Sequence, residues 1–307
     1  MTEVRAGYRD EEGRFHELNG GTLYHLFSIP DHFCQVQIPP EANVVARRAV
    51  IPLFGAGLVE AIPDEAILAL DDPDDRDGDG ISGRAGRIVD IATRRQRIGR
   101  FGWKSQHATL LAFSADAYRN EMGITNDLFP DEVALGVSEE AMKLCNPRLR
   151  IEDVRDRRTG LRGIDNFANF MRFLAPVARG PIDERVEAGE AVFHTIGCAS
   201  CHVPVLMTGP DPNPLFDRRA VPLYSDLLLH DIGTGDGIEQ ADATGDEVRT
   251  PALWGLRFRK PLLRDGSAAT IDEAIRRHAG EASAVIDRFA ALPGDDRENL
   301  LVFLNSL

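Results

Sequence analysis

The sequence contains little cysteine, no long apolar run and no excess of positive charge. Only four of its 307 residues are cysteine. No apolar run approaches the ~20 residues that span a bilayer, so we expect no membrane-spanning segment. The start of the chain, residues 1–15, is polar and acidic and has no signal-peptide core.

The charge balance limits the kinds of partner. The formal net charge is -14 at pH 7, which argues against nucleic acid or an anionic membrane as the main partner and favours basic or neutral ones. A well-solvated surface is the plainer interpretation of the same charge. The hydrophobic fraction of 43% and the charged fraction of 27% are typical of a globular protein, and 307 residues are enough for two domains.

Two of the four cysteines stand three residues apart, and a histidine follows the second. Random placement gives such a C-x-x-C-H string only about once in a thousand chains of this composition. A zinc site would need a second ligand pair, but Cys34 and Cys145 stand alone. A thioredoxin-type dithiol would follow a strand, whereas a helical pattern precedes Cys198. The motif therefore predicts a covalent c-type haem, with Cys198 and Cys201 bound to its vinyl groups and His202 as the proximal iron ligand.

Covalent haem attachment also predicts where the protein resides. Attachment normally takes place outside the cytoplasm, so we expect a periplasmic protein. Because the chain as given carries no export signal, we expect that an N-terminal portion has been removed by processing or by how the sequence was defined. In that oxidising compartment Cys34 and Cys145 could form a disulfide, and a pair of free buried thiols is an equal alternative.

The iron ligand on the opposite face decides what such a haem can do. Residues 270–273 form a capping box, so a helix begins there, and its periodicity places His278 on the same apolar face as two isoleucines. His278 is one candidate, although a lone buried histidine is usually only hydrogen-bonded. His230 and, less readily, Met207 are the alternatives. Two histidine ligands would give a lower reduction potential than histidine with methionine, and a six-coordinate iron transfers electrons rather than binding peroxide.

An acidic run resembles the first half of a calcium-binding loop. Asp75, Asp77 and Asp79 alternate and Gly80 follows. The twelfth position of an EF-hand would be Gly86 rather than glutamate, which excludes a true EF-hand. A different Ca²⁺ loop and a plain acidic turn remain as equal alternatives.

The distribution of helical patterns predicts the architecture. We expect a mainly α fold in which a cytochrome c-like domain, residues 181–307, packs on a mostly helical, loop-rich domain, residues 1–180. The boundary falls where Pro176 and the Gly180-Pro181 pair interrupt the chain. The second domain contains, in order, a helix, the C-x-x-C-H motif, a long loop and a closing helix. No segment in it has a β-rich pattern. The first residues, up to about 48, are turn-rich with few periodic segments.

Several long strings carry a family resemblance. Four lie towards the C-terminus: VPLYSDLLLHDIG (221–233), RTPALWGL (249–256), DGSAATIDEAIRRHAGEA (265–282) and LLVFLNSL (300–307). Three lie upstream: LVEAIPDEAILALDDPDDRDGDGISGR (58–84), GRFGWK (99–104) and EMGITNDLFPDE (121–132). The first four resemble the C-terminal domain of bacterial di-haem cytochrome c peroxidases, and more closely the related di-haem thiol oxidoreductases. The upstream strings match the same group, so the resemblance covers nearly all of the chain from about residue 45.

The resemblance implies a working arrangement of two covalent haems. In the family the C-terminal haem receives electrons and the N-terminal haem handles peroxide. By position, His202 would be the proximal ligand of the electron-transfer haem and His278 its sixth ligand. Trp103 resembles a tryptophan that lies between the haems, the aspartates at 75–79 resemble the calcium loop, and Glu121 resembles the acid of the peroxidase site.

The sequence also departs from the family pattern. It contains a single C-x-x-C-H, so we expect the domain at 1–180 to be a truncated peroxidase-type domain without its haem motif. Phe113 stands about where relatives have a glutamine near the peroxide site. Arg264 replaces a histidine of an aromatic-His-Asp-Gly turn, and Ile232 replaces a methionine.

Three functions follow from these observations. The first is an extracytoplasmic haem oxidoreductase of the di-haem peroxidase type, with a small redox protein or dye-like donor of electrons and hydrogen peroxide as a candidate substrate. The second is a mono-haem cytochrome c that carries electrons without peroxidase activity. The third is a scaffold or calcium-stabilised binding module.

Overall fold

The computed structural model describes residues 2–25, 36–145 and 151–307. Among these residues, no helix combines the length and the apolar character needed to cross a bilayer. The strands are β1 Thr2–Arg9, β2 Phe15–His16, β3 Leu23–Tyr24, β4 Val44–Ala49, β5 Arg87–Asp90, β6 Arg95–Ile98, β7 Leu206–Met207, β8 Ala220–Val221, β9 Leu229–His230 and β10 Val248–Arg249. The helices are α1 Ala56–Glu60, α2 Asp64–Leu68, α3 Leu110–Met122, α4 Glu139–Cys145, α5 Gly163–Phe173, α6 Glu184–Thr195, α7 Ile271–Arg276, α8 Ser283–Ala290 and α9 Gly294–Ser306, with short 3-10 turns at Cys198–Ser200, Leu256–Phe258 and Gly280–Ala282.

Strand β1 organises a sheet at the start of the chain. It pairs antiparallel with β2, β3 and β4, and its register on β4 places Ala6 opposite Val45. Side chains of β4 alternate as in any half-buried strand: Ala46 and Arg48 are buried, whereas Val45 is exposed. The guanidinium of Arg48 pairs with the buried carboxylate of Asp236 over 2.7 Å, which ties the sheet to the C-terminal half of the chain.

The prediction of a mainly α fold is wrong, because the fold is mixed. About 30% of the residues are helical and 15% lie in strands, which form several small sheets. The segment up to residue 49, which we expected to be turn-rich, forms a four-stranded sheet. Several later strands are two residues long and arise from pairing between distant segments, as between Leu229 and Arg249. A two-residue strand has no hydrophobic period, so sequence periodicity cannot reveal it.

Buried apolar side chains form two clusters. The first involves α1, α2, α3 and α5 and includes both Leu110 and Leu228. The second involves α6, α8 and α9 and includes Phe193. Because the first cluster contains residues from both sides of position 180, the division into domains 1–180 and 181–307 stays a prediction.

Helices α6 and α9 pack closely, and α6 leads the chain to the C-x-x-C-H motif. Helix α6 begins where the Asp183 side chain accepts a hydrogen bond from the amide of Val186. It ends at Thr195, shortly before the motif. At the contact with α9, a Cβ added to Gly189 would lie 2.0 Å from the carbonyl oxygen of Asn299. The close approach of the two helices therefore requires glycine at this position.

We predict that Gly189→Ala destabilises the protein by about 1–3 kcal/mol, since the new methyl group overlaps backbone of α9. Gly294→Ala is the matched control: a Cβ there meets nothing within 4 Å, so the change should be neutral or stabilising by up to about 1 kcal/mol. The free energy of unfolding in urea measures both. Equal effects of the two substitutions would show that the helix contact is looser than described.

Candidate functional site

A large cavity lies between the C-x-x-C-H motif, the end of α7, helix α8 and the segment after β10. Its volume, counted out to its open side, is about 1290 Å³. The size and the mostly apolar wall suit a large, largely apolar ligand. Apolar side chains of the wall include Ile81, Phe193, Leu253, Leu256, Ile275, Val285 and Phe289.

A left-handed turn at Gly197 brings the motif to this cavity. Gly197 has a φ of 94°, a conformation that glycine adopts without steric cost, and it separates α6 from the 3-10 turn at Cys198. The amide of His202 donates to the carbonyl oxygen of Cys198 over 3.0 Å. Cys198, Cys201 and His202 are thus held in one tight turn, and all three line the cavity.

The two motif cysteines form no disulfide. Burial, and then the neighbouring Cys201, raise the pKa of Cys198 to about 12, and burial also raises the pKa of Cys201. Redox dithiols and catalytic cysteines have lowered pKa values, so this pair differs from a redox site. The suggested pairing of Cys34 with Cys145 concerns side chains that lie outside the described residues.

Two imidazoles face the cavity in their neutral form. Nδ1 of His202 lies 3.1 Å from the carbonyl oxygen of Tyr224, and Nδ1 of His278 lies 2.8 Å from that of Ala274. Since a carbonyl oxygen only accepts, each Nδ1 carries the hydrogen and each Nε2 keeps its lone pair. Burial and then His278 lower the pKa of His202 to about 4, and burial lowers the pKa of His278. Both rings are therefore neutral at pH 7, the state in which imidazole binds a metal.

The carbonyl group that orients His202 is itself fixed. The hydroxyl of Tyr224 donates to Glu190 of α6 over 2.7 Å. Two residues further on, the amide of Asp226 donates to the carbonyl oxygen of Cys201 over 2.9 Å. The segment is therefore held at two points, against α6 and against the motif.

His278 lies just beyond α7, which ends at Arg276, and not on the helix as its spacing suggested. Ile271, Ile275 and His278 nevertheless all line the cavity. Carbonyl groups in the last turn of a helix lack a partner within the helix. The carbonyl oxygen of Ala274 accepts from the amide of Arg277 over 3.3 Å and also from the imidazole of His278, so the helix end sets the orientation of the ring.

His230 and Met207 have different surroundings. His230 is buried between two carboxylates, with Nε2 2.8 Å from Asp226 and Nδ1 2.9 Å from Glu281. Burial alone would lower the pKa of His230, but the carboxylates outweigh it and hold the pKa well above the usual value. Both ring nitrogens are therefore occupied, although Nδ1 also lies 3.7 Å from Sγ of Cys201. Met207 is half exposed on β7 and is not among the residues that line the cavity.

Trp103 forms part of the cavity wall, and its Nε1 donates to the carbonyl oxygen of Ala49 over 2.7 Å. A second cavity of about 570 Å³ has Phe113 in its wall and shares Arg249 with the first. No histidine, cysteine or methionine is among the described residues that line it. Glu121 is exposed near the end of α3 and lines neither cavity.

The other positions that depart from the family pattern also contact the first cavity. Ile232 and Arg264 both line it. Arg264 is buried, donates to the carbonyl oxygen of Thr234 over 3.1 Å and lies 3.4 Å from the carboxylate of Asp236. At these positions the wall is therefore apolar at residue 232 and cationic at residue 264.

The acidic loop gathers its three carboxylates and contacts the motif. Oxygen atoms of Asp75, Asp77 and Asp79 lie within 4.8 Å of one another. The hydroxyl of Ser200, inside the C-x-x-C-H string, donates to Asp79 over 3.2 Å. One hydrogen bond therefore connects the conformation of this loop to that of the motif.

Sequence reasoning missed the two carboxylates that hold His230. Asp226 and Glu281 lie 4 and 51 residues from the histidine along the chain, and no local pattern connects them. Both do fall inside strings that carry the family resemblance, which is the signal that could have singled them out.

Paired thiols and neutral imidazoles around a large apolar cavity are the features of a haem-binding protein. Residues 38–307 match the family model described as "Di-haem oxidoreductase, putative peroxidase". The chain therefore belongs to the di-haem oxidoreductase family. No curated protein matches the chain.

Solved structures show weaker similarity. A MauG-like protein associated with microbial copper homeostasis is 15% identical, with 92% of this chain and 95% of the other covered and a TM-score of 0.40. The diheme peroxidase BthA from Burkholderia thailandensis is 12% identical, with 95% and 92% covered and a TM-score of 0.36. Hydrazine synthase from Kuenenia stuttgartiensis is 20% identical with a TM-score of 0.34; the similarity covers 47% of this chain and only 55% of that one. At these TM-scores the family match alone supports the assignment.

We predict that Asp226→Asn lowers the free energy of unfolding by about 3–5 kcal/mol, because it breaks a buried ion pair and leaves the other charge in place. Asp217→Asn removes the charge that pairs with the exposed Arg218, while its side-chain oxygen can still accept from the amide of Asp211, so it should cost less than about 1 kcal/mol. His230 has a raised pKa in the folded protein, so its ion pairs stabilise the folded state fully below pH ~6.5. This stabilisation is lost as the pH rises through the folded-state pKa of His230. Denaturation at several pH values should show the difference between wild type and Asp226→Asn narrowing at high pH, and a constant difference would contradict the assignment.

Proposed function

We propose that this protein is a c-type haem oxidoreductase of the di-haem peroxidase type, which passes electrons through a haem held by Cys198, Cys201, His202 and His278. The observation that supports this most directly is the convergence of these four side chains on one apolar cavity. Both imidazoles are neutral and keep a free Nε2, as axial ligands require.

The thiols suit covalent attachment. Each thiol S–H would add across a vinyl C=C bond, forming a C–S bond while the hydrogen goes to the other vinyl carbon, so that no oxidant is consumed. A bound haem supplies one-electron chemistry. The chain contributes the apolar wall, the two attachment points and the oriented imidazoles.

His278 is the better candidate for the sixth ligand. His230 has a carboxylate at each ring nitrogen, and Met207 does not line the cavity. Two histidine ligands would make the iron six-coordinate and low-spin, with a lower potential than a histidine and methionine pair. This haem would therefore transfer electrons and would not itself bind peroxide.

A mono-haem electron carrier is the second candidate. It is favoured by the second cavity, where the described wall offers no iron ligand, and by Glu121, which is exposed away from both cavities. In the enzyme, Trp103 would lie between the haems and a second haem would accompany the first. Turnover of hydrogen peroxide with a reduced cytochrome or dye, together with two haems per chain, would support the enzyme. One haem and no turnover would support the carrier.

The partners and the location belong to the same proposal. A small redox protein or dye-like compound would donate electrons at the haem, and the net charge of -14 favours a basic or neutral donor. We place the protein in the periplasm, because c-type haem is normally attached outside the cytoplasm. Fractionation of cells that make the full-length protein tests this location.

A Ca²⁺ ion at Asp75, Asp77 and Asp79 is also proposed. Three carboxylates within 4.8 Å of one another suit a hard cation with oxygen ligands. The hydrogen bond from Ser200 to Asp79 would connect this ion to the haem motif.

We predict that His278→Gly converts the absorption and spin-resonance spectra of the ferric protein from low-spin to high-spin, since the iron loses its sixth ligand. Met207→Leu is the control and should leave both spectra unchanged. If the spectrum of the His278→Gly variant is still low-spin, the sixth ligand is a residue other than His278.

We predict that Ca²⁺ stabilises the protein, by about 2.7 kcal/mol at a hundredfold excess over Kd, and that excess chelator removes this gain. Asp77→Asn should abolish the response, because it removes one ligand. Asp74→Asn changes an exposed carboxylate of the same run outside the cluster and should preserve the response. If neither Ca²⁺ nor chelator changes the melting temperature, the loop is an acidic turn and not a Ca²⁺ site.

A further inference from the structure

Two guanidinium groups line the large cavity without a carboxylate partner among the described residues. Arg249 is 4% exposed, and it donates to the carbonyl oxygens of Gly102 and Thr250 over 2.8 and 2.9 Å. Arg259 donates to the carbonyl oxygen of Ala252 over 3.2 Å. All of these acceptors are neutral backbone groups.

Each of the other buried arginines and lysines of the described structure lies within 4 Å of a carboxylate, and three of them, Arg48, Lys104 and Arg264, share that of Asp236. Arg100 pairs with Asp64, and Lys104 lies 3.3 Å from Asp236. Arg249 forms no such pair, and neither does Arg259, within the ranges described. Positive charge in this part of the cavity wall is therefore in excess.

The two arginines also repel each other. Burial and then Arg259 lower the pKa of Arg249 to about 10, while the carboxylate of Asp226, which forms no ion pair with it, acts in the opposite direction. Burial lowers the pKa of Arg259. A guanidinium stays protonated at pH 7 even so. Uncompensated buried charges are strongly unfavourable, so an anion in the cavity would stabilise the pair.

We propose that Arg249 and Arg259 form a carboxylate-binding subsite, which pairs with the two propionates of the haem. This inference rests on the proposed function, because the haem brings the carboxylates. Two cations match two carboxylates in charge, and the planar guanidinium suits bidentate pairing with a carboxylate. The remaining cavity wall is apolar and suits the ring.

The subsite predicts a charge effect on the haem potential. In the holoprotein, Arg259→Gln removes a cation that stabilises the ferrous form. At a fixed solution potential, the ratio of ferrous to ferric haem should therefore fall about tenfold, which is a decrease of about 59 mV in the reduction potential of the haem. Arg259→Lys keeps the charge and should recover most of the potential. Lys260→Gln removes the same charge from the exposed neighbouring residue and should change the ratio less than about twofold because of solvent screening.

Arg259→Met distinguishes the subsite from a merely structural arginine. If Arg259 had no anionic partner, an apolar side chain of similar length would stabilise the holoprotein, and that result would overturn the proposal. The proposal expects a lower potential and a lower melting temperature. The covalent haem content is measured in each sample. Wild-type protein without covalent haem would overturn the proposed function itself. Variants that carry a full complement of haem and keep the wild-type reduction potential would overturn only the subsite.

Discussion

The hydrogen bonds from Nδ1 of His202 and His278 to backbone carbonyl oxygens are the constraint on which the site depends. They fix the tautomer of both rings and leave Nε2 free inside an apolar cavity. Burial then keeps both rings neutral. The rest of the fold serves this arrangement: the turn at Gly197 delivers one ring, the end of α7 delivers the other, and the segment around Tyr224 is held against the motif.

The two sides of the cavity differ in charge for a physical reason. His230 lies between two carboxylates and is held as a cation, while His278 has only a neutral carbonyl group as partner. The surroundings of His230 therefore suit a structural ion pair beside the motif, whereas those of His278 suit an iron ligand. The guanidinium groups of Arg249 and Arg259, which form no ion pair among the described residues, extend this pattern, since an anion in the cavity would balance their charge.

Much of the site was predictable from the sequence, and much of the fold was not. The C-x-x-C-H string and the cap at Thr270, whose side chain accepts from the amide of Glu273, are local patterns with local consequences. The small sheets, and the meeting of Asp226 with Glu281 at His230, depend on residues far apart in the chain. Periodicity does not record such long-range pairing, which is why the mainly α prediction failed and the carboxylates were missed.

The central claim is that Cys198 and Cys201 hold haem covalently. The most direct test is the intact mass of the denatured protein after expression in a haem-attaching host, compared with a variant that carries Cys198→Ala and Cys201→Ala. We predict that the wild-type chain retains the added mass and colour of haem and that the double variant loses both. A colourless wild-type chain with the mass of the bare polypeptide would contradict the account.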